Sequence, residues 1–323
     1  MRKLIRYVQK HRLLSVGIVL GAVNLLAYIF AHIIPKFADF HANTFYWLSV
    51  NVFGRLFGAV QYPVGEFLIP VLVLALICVF VARRVWHKRF SVGGAVCVVM
   101  SALFVFQFNC GINYSRTPFS EYVKLPADTA YDREALFRTT AAIIGELTAL
   151  YRNTDLDTNA VPTDSDAVAA MKNLSKKYPV LKTYYPKPKG IVGSKYILSP
   201  FMLTGIYNPF TVEANYNTDC PPTELGFTMC HELSHLSGFM RESEANFIAY
   251  LACVNSDNIV LKYSGLFNAV NFCLNAYWSM VGGTDDEWEY YALTEQMSDK
   301  FYVAAEENND YWTEYANTPT AAA

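Results

Sequence analysis

Three long apolar stretches in the first third of the chain constrain its fold more than any other feature. They run over residues 13–34, 64–82 and 90–108. A helix rises 1.5 Å per residue, so about 20 apolar residues cross the roughly 30 Å hydrocarbon core of a bilayer. No polar face interrupts these stretches, which argues against helices buried in a soluble core. The sequence therefore predicts a membrane domain over residues 1–109, with three transmembrane helices.

Basic residues in the short connections predict the orientation of these helices. The first connection, residues 36–63, has only Lys36 and Arg55. The N-terminal tail and the second connection are richer in basic residues: Arg2, Lys3, Arg6, Lys10, Arg12, Arg83, Arg84, Lys88 and Arg89. Because Lys and Arg favour the cytoplasmic side, we expect a cytoplasmic N-terminus and an extracytoplasmic C-terminal domain. A cleaved signal peptide explains the first stretch less well, since no small-residue cleavage site follows it.

Residues 110–323 have the charge pattern of a soluble domain. The whole chain has 26 Lys and Arg against 28 Asp and Glu, so it lacks the basic field that nucleic-acid binding requires. Its 22 Phe and 22 Tyr exclude a disordered protein, because so many aromatic side chains must be buried.

The cysteine pattern does not decide whether Cys220 and Cys230 form a disulfide. The domain contains an odd number of cysteines, without the spacing of a disulfide scaffold: Cys110, Cys220, Cys230, Cys253 and Cys273.

Hydrophobic periodicity predicts a mainly helical domain with a small sheet. Apolar residues recur at helical spacing before residue 179, and Pro, Gly, Tyr and β-branched residues then favour short strands and turns. The predicted elements are helices at 132–152 and 164–178, strands or hairpins at 189–193 and 205–213, and further helices from 223 to about 307. This pattern is typical of the α+β class.

The strongest chemical signal is H-E-x-x-H at residues 231–235. On a helix, His231 and His235 lie one turn apart on the same face, so both imidazoles can bind one metal ion. Glu232 lies beside them, where it can take a proton from a water at the metal without being a ligand. The chain has six His in 323 residues, so roughly 0.005 such motifs are expected by chance.

A third ligand is needed, because a catalytic zinc site has three protein ligands and one open position. The other His residues lie in the N-terminal tail, the apolar stretches or their connections, so the third ligand must be a carboxylate. Residues 241–251 predict a second helix, on which Glu242, Ala245 and Asn246 share a face. We expect Glu242 to bind the metal and Asn246 to hydrogen-bond a ligand imidazole. Glu244 remains an alternative ligand, and a surface charge at the helix start explains either carboxylate.

These motifs resemble two known groups of proteins. Glu242-x-x-Ala245-Asn246 after H-E-x-x-H is similar to the E-x-x-A-D/N element of gluzincin-type zinc peptidases, whose first Glu is the third ligand. Over nearly its whole length the chain also resembles a bacterial family called domain of unknown function 3810. That resemblance rests on the three apolar stretches and on four motifs: Pro-Phe-Thr-Val-Glu-Ala, Phe-Thr-x-x-His-Glu-Leu-x-His, Gly-Phe-x-Arg-Glu-x-Glu-Ala-Asn-Phe-x-Ala-Tyr-Leu and Tyr263-Ser264-Gly265. It implies a multi-pass protein of the bacterial cell membrane, with zinc in a zincin-like α+β metallopeptidase domain.

The implied reaction is metal-assisted hydrolysis of peptide bonds. Glu232 is expected to act first as general base and then as acid toward the leaving amine. Zincins usually bind their substrate as an added strand, and residues 205–212 are the expected sheet edge. Four further residues are candidates for stabilising the oxyanion or supporting the site, although each also has a purely structural explanation: Tyr263, Tyr207, Arg241 and Glu213.

Two functions of different classes follow from these residues. One is a zinc-dependent peptidase that acts on a peptide or protein at the membrane surface. The other is a non-catalytic, zinc-stabilised scaffold or sensor of the cell envelope. Glu232 favours the peptidase, because a purely structural site needs no base beside its two His. A transporter is disfavoured, because the apolar stretches have no charged residue near their middles. Their one acidic residue, Glu66, lies near an end.

Overall fold

The computed structural model describes residues 11–86, 91–125 and 132–316. Within them the chain is mainly helical, with one small sheet. The α-helices, in chain order, are α1 (Arg12–Ile33), α2 (Phe37–His41), α3 (Trp47–Ser49), α4 (Arg55–Gly58), α5 (Val64–Val85), α6 (Val92–Asn109), α7 (Phe119–Tyr122), α8 (Arg133–Asn153), α9 (Asp164–Lys177), α10 (Ser194–Ile197), α11 (Pro222–Leu236), α12 (Glu242–Val254), α13 (Ile259–Val281), α14 (Trp288–Thr294) and α15 (Asp299–Ala316). The strands are β1 (Lys189–Ile191), β2 (Gly205–Asn208) and β3 (Glu213–Asn217).

The chain divides into two units, defined by which residues contact one another. The first unit consists of residues 1–117, 208–213 and 238–240. The second unit consists of residues 118–207, 214–237 and 241–323. Two short segments of the C-terminal half therefore belong to the unit that contains the apolar helices.

Helices α1, α5 and α6 are the three helices that the apolar stretches predict. Each is long and apolar enough to cross a membrane. Their large apolar side chains are mostly exposed, as expected for helices whose solvent is lipid. The prediction of three such helices is confirmed, whereas their orientation stays a prediction. Several of the basic residues on which the orientation depends lie outside the described residues: Arg2, Lys3, Arg6, Lys10, Lys88 and Arg89.

The connection between α1 and α5 is helical, although the sequence analysis treats it as a loop. Two π-helical stretches, Ala42–Tyr46 and Val50–Gly54, separate the short helices α2, α3 and α4. These π-helical turns break the 3.6-residue spacing that identifies a helix from sequence. His41 is buried here, and burial lowers its pKa to about 4, so the imidazole is neutral at physiological pH.

The second unit is built around α13, which packs against α8, α11 and α12. Its apolar core is a cluster to which α8 contributes Ile144 and Leu147 and α13 contributes Phe267. Helix α9 packs on α11 and α12, and a capping box between Thr163 and Asp166 stabilises its start. The two helices predicted over 132–152 and 164–178 are α8 and α9, so those predictions are confirmed.

The sheet has the strand order β1-β3-β2, and β1 pairs in parallel with β3. Residues 205–213, predicted as a strand or a hairpin, contain β2, a turn in which Val212 has a φ of 54°, and the first residue of β3. In the described residues β2 pairs with β3 alone, so its other side is an open edge. All seven cysteines are free thiols, which leaves Cys220 and Cys230 unlinked.

Candidate metal centre

The H-E-x-x-H motif lies on α11, in the interior of the second unit. Pro221 adopts an extended conformation before the helix and Pro222 is its first residue, where the missing N–H costs no hydrogen bond. The helix ends at Leu236, and Gly238 follows with a φ of 94°, a left-handed conformation that favours glycine. Nearly every residue of α11 is buried, so its orientation is fixed by packing on all sides.

Three side chains converge at one point on α11 and α12. The Nε2 atom of His231 lies 3.1 Å from Oε2 of Glu242, and Nε2 of His235 lies 3.4 Å from Oε1 of the same carboxylate. One donor atom from each residue lies within 4.8 Å of the others, which makes the trio a candidate metal site. Hydrogen bonds from both imidazoles lower the pKa of Glu242, so its carboxylate is ionised.

The distances within this trio fit zinc. Ligand atoms about 2.0–2.1 Å from a tetrahedral zinc ion lie about 3.3 Å from one another, close to the measured separations. Two imidazoles and one carboxylate are also the ligand set of one group of catalytic zinc sites, which keep the fourth position open. The imidazole rings are nearly perpendicular, at 87°, and their centroids are 4.6 Å apart.

Glu232 is enclosed beside the trio. Its side chain is almost fully buried, and Oε2 has no hydrogen-bond partner in the part of the chain that the structure describes. Burial raises the pKa of this carboxyl group, and the two imidazoles partly offset the rise. Gly205 of β2 lies against it: a Cβ at that position would come within 2.5 Å of Oε1 of Glu232 and 2.8 Å of Cγ2 of Thr228. Glycine is therefore required at this close approach.

The start of α12 separates the roles of its two carboxylates. The Glu242 side chain is 73% exposed and points to the histidines. The Glu244 side chain is only 14% exposed, and Oε1 accepts a hydrogen bond of 2.8 Å from the Phe119 N–H. Arg241 Nη1 lies 3.8 Å from the same oxygen. Among the described residues, Glu244 is thus tied to the backbone and is absent from the metal-ligand trio.

Three further residues of the predicted site are described by their surroundings. In the described residues, Nδ1 of His231 is buried without a partner, so the imidazole that Asn246 was expected to hydrogen-bond is not that of His231. Tyr263 lies in the apolar core with its ring 5.7 Å from that of Tyr151. Tyr207 is buried on β2.

Glu213 is the first residue of β3, and it has a different structural role. Its two carboxylate oxygens accept hydrogen bonds of 3.1 Å from the Val64 N–H and 2.9 Å from the Gly65 N–H. These are unpaired donors at the start of α5, where the helix dipole also favours a negative charge. Glu213 therefore caps the second apolar helix, a contact that the sequence pattern gave no means to find.

The sequence analysis also missed Glu224, in the first turn of α11. Its Oε1 accepts hydrogen bonds of 2.9 Å from both Asn308 Nδ2 and Trp312 Nε1 of α15. Burial raises the pKa of this carboxyl group, and the two hydrogen bonds partly offset the rise. From sequence alone, a glutamate in a first helical turn is expected to be an exposed charge near the helix start. Only the position of α15 shows that Glu224 is buried and accepts these hydrogen bonds.

Comparison with known proteins assigns the chain to a family. A family model described as "Protein of unknown function (DUF3810)" matches residues 41–323, and the chain belongs to that family. The match starts within the helical connection after α1 and extends through the metal-ligand trio. No curated protein and no solved structure matches the chain.

Proposed function

We propose that this member of the DUF3810 family is a membrane-anchored, zinc-dependent peptidase with a zincin-like domain of the gluzincin type. The observation that carries the proposal is the convergence of His231, His235 and Glu242, with donor atoms within 4.8 Å of one another. Glu232, the residue next to a ligand, supplies the base that hydrolysis requires. No other trio of possible metal ligands occurs in the described residues.

The residues divide the chemistry between them. The trio would hold zinc, and a bound zinc ion supplies Lewis acidity to the scissile carbonyl and to the attacking water. Glu232 accepts the proton of that water on its unpartnered oxygen and then delivers it to the leaving amine. Its burial excludes bulk water, so the proton passes to the amine and not to solvent.

A peptide or protein is the substrate class that the surroundings of Glu232 favour. In the described residues β3 is the one strand that pairs with β2, so an extended peptide would bind along the other edge of β2 as an added strand. Gly205 brings this edge against the Glu232 carboxylate, so the bound strand would pass the general base. The exposed side chain of Ile206 on the same strand adds an apolar contact. Arg241, half-exposed and adjacent to Glu242 in the sequence, is the best placed candidate to stabilise the oxyanion.

The proposed location is the bacterial cell membrane, with the N-terminus in the cytoplasm and residues 110–323 outside. This orientation follows from the basic residues of the tail and the second connection. A reporter enzyme that functions only outside the cytoplasm, fused after Trp312, should be active. A reporter that fluoresces only in the cytoplasm, fused at the same position, should be silent, and fluorescence would reverse the orientation.

Replacing Glu232 tests the proposed reaction. The full-length protein, loaded with zinc in nanodiscs, should hydrolyse members of a fluorogenic peptide library. The Glu232→Gln variant should retain its zinc content and lose about 10³-fold or more in turnover, because Gln cannot accept the proton. Glu306→Gln, an exposed change on α15, is the matched control and should behave like the wild type.

The same experiment separates the peptidase from a non-catalytic scaffold or sensor. The observation that favours this second function is the trio itself, because its three ligands can bind zinc whether or not Glu232 acts as a base. Zinc binding without turnover of any peptide by the wild type would support the scaffold or sensor. Turnover that persists in Glu232→Gln would remove Glu232 as the base.

A further inference from the structure

Tyr263-Ser264-Gly265 is one of the motifs that carry the family resemblance, and the proposed reaction gives Ser264 and Gly265 no role. All three residues are buried, in the second turn of α13. Helix α13 packs against α11 and against α12, and those two helices also pack against each other. The motif therefore belongs to the helix that contacts both suppliers of the candidate metal ligands.

Ser264 is bonded to the backbone of α11. Its hydroxyl accepts a hydrogen bond of 2.9 Å from the Phe227 N–H and donates one of 2.6 Å to the Thr223 carbonyl. In a regular α-helix the N–H of one residue pairs with the carbonyl four residues before it, so these two groups are each other's partners. The Ser264 hydroxyl thus bridges one backbone hydrogen bond of α11. A side chain that enters this ladder changes the direction of the helix.

The bridge lies one helical turn before the first candidate ligand. The ring centroids of Phe227 and His231 are 6.3 Å apart, and His235 follows one turn later. Helices α11 and α13 also approach closely at this point, because a Cβ at Gly226 would come within 3.0 Å of Ser264 Cβ. The turn of α11 that precedes both histidines is therefore held directly by Ser264.

Gly265 sets the distance between α13 and α12. A Cβ at Gly265 would come within 2.4 Å of the Cβ of Cys253, so a side chain there would push α12 away. Cys253 is fully buried, and its Sγ lies 3.9 Å from the Gly226 carbonyl oxygen of α11. The three helices thus meet at one point. Glu242 is the first residue of α12, about three turns before Cys253.

We propose that Ser264 and Gly265 are positioning residues of the candidate zinc site. Ser264 fixes the helix that carries both histidines, and Gly265 lets the helix that carries Glu242 lie close to it. Neither residue belongs to the ligand trio, so both act through the backbones of α11 and α12. The separation of the imidazoles from the Glu242 carboxylate depends on how these two helices are placed. This inference rests on the proposed zinc site.

Cobalt binding tests the role of Ser264. In full-length protein in nanodiscs, Ser264→Ala should weaken cobalt affinity about tenfold, measured by competition with a chelator. It should also alter the visible spectrum of bound cobalt, because α11 shifts once the Phe227 N–H and the Thr223 carbonyl lose their bridge. Ser279→Ala is the matched control. Ser279 is exposed on the same helix and donates to the Ala276 carbonyl, so its replacement should leave affinity and spectrum unchanged.

A pair of substitutions tests the role of Gly265. Gly265→Ala should weaken cobalt affinity about tenfold or more, because its methyl group displaces α12. Adding Cys253→Gly removes the atom that this methyl group would meet, so the double variant should recover affinity and the wild-type spectrum. Each substitution alone costs stability, so a purely structural role would make the double variant worse than Gly265→Ala. Should Gly265→Ala fail to fold, the double variant still decides.

Three results would overturn the proposal. Wild-type cobalt affinity and spectrum in a folded Ser264→Ala variant would remove Ser264. Wild-type affinity in a folded Gly265→Ala variant, or a folded double variant whose affinity is not restored, would remove Gly265.

Hydrogen exchange in the metal-free protein separates this proposal from the zinc site. The Phe227 N–H donates to Ser264, so Ser264→Ala should speed its exchange about tenfold, whereas Ser279→Ala should not. Absence of cobalt binding by the wild type would refute the zinc site and leave this readout intact. Unchanged exchange of Phe227 in Ser264→Ala would show that Ser264 does not hold α11, whether or not the metal binds.

Discussion

The two helices that supply the proposed metal ligands are held in opposite ways. The α11 side chains are enclosed, with His231 and His235 side chains only 13% and 10% exposed, and they move only if the second unit repacks. The proposed ligand from α12, Glu242, is largely exposed, and its carboxylate accepts hydrogen bonds from both imidazoles. Two proposed ligands and the proposed base are thus held by burial, whereas the third proposed ligand is held by hydrogen bonds to the other two.

This contrast predicts different outcomes for substitutions on the buried side of the centre, which is α11, and on its exposed side, which is Glu242. A substitution on the buried side affects the proposed base or the packing, because the α11 side chains share one core. A change on the exposed side alters metal affinity with little effect on folding, since few contacts are lost. Exposure also leaves Glu242 free to adjust when an ion binds, which a buried ligand cannot do without strain.

The largest expected effect comes from removing the exposed ligand. Glu242→Ala should lower zinc affinity more than about 100-fold, the upper range for residues that only support a ligand. Glu244→Ala is the matched change two residues away, and it should cost stability through the lost Phe119 hydrogen bond while reducing affinity less. Isothermal titration with zinc measures both variants. Equal losses of affinity would mean that the two carboxylates do not have separate roles.

A smaller effect, on peptide turnover, is expected from a substitution that crowds the buried Glu232 carboxylate and removes no ligand. Gly205→Ala places a methyl group against the Glu232 carboxylate and should lower peptide turnover about tenfold through misplacement of the base. Zinc affinity should stay at the wild-type value. Gly145→Ala on α8 is the control, because a Cβ there meets no atom within 4 Å. If zinc affinity falls together with turnover, the base and the ligands are not independent.

The smallest expected effect is on how the stability of the protein depends on pH, through the buried carboxyl group of Glu224 in the first turn of α11. Burial raises the pKa of Glu224, so above the ordinary carboxyl value of 4.5 the unfolded state loses this proton before the native state does. The free energy of unfolding therefore falls as pH rises through that window, and Glu224→Gln removes this loss. We expect the variant to be about 1 kcal/mol more stable at pH 7 and equal to the wild type near pH 4.

Thermal unfolding of the metal-free protein at both pH values measures this difference. Glu134→Gln, an exposed carboxylate on α8, is the control and should show no such dependence on pH. A stability gain of Glu224→Gln that is the same at pH 4 and pH 7 would mean that folding leaves the pKa of Glu224 unchanged.

Sequence patterns were most informative where one element alone decides the outcome. The three apolar helices, α8 and α9 all follow from local periodicity, and the H-E-x-x-H spacing places two imidazoles on one helical face. Patterns failed where contacts are long-range. Glu213 and Val64 are far apart in the sequence, and no periodicity links a strand to the start of an apolar helix. The choice between a strand and a hairpin at residues 205–213 also stayed open, because the turn lacks a glycine at its positive-φ residue, Val212.

The amino-acid sequence by itself determined that this chain has three helices able to span a membrane and a helix with two imidazoles one turn apart. Both depend on spacing along a single helix, which the order of residues fixes. Tertiary structure alone decided that the Glu242 carboxylate contacts those imidazoles, while the Glu244 carboxylate accepts a hydrogen bond from the Phe119 N–H. The reason is physical: which of two nearby carboxylates reaches a site depends on how separate segments pack, and packing is set by contacts that sequence distance does not encode.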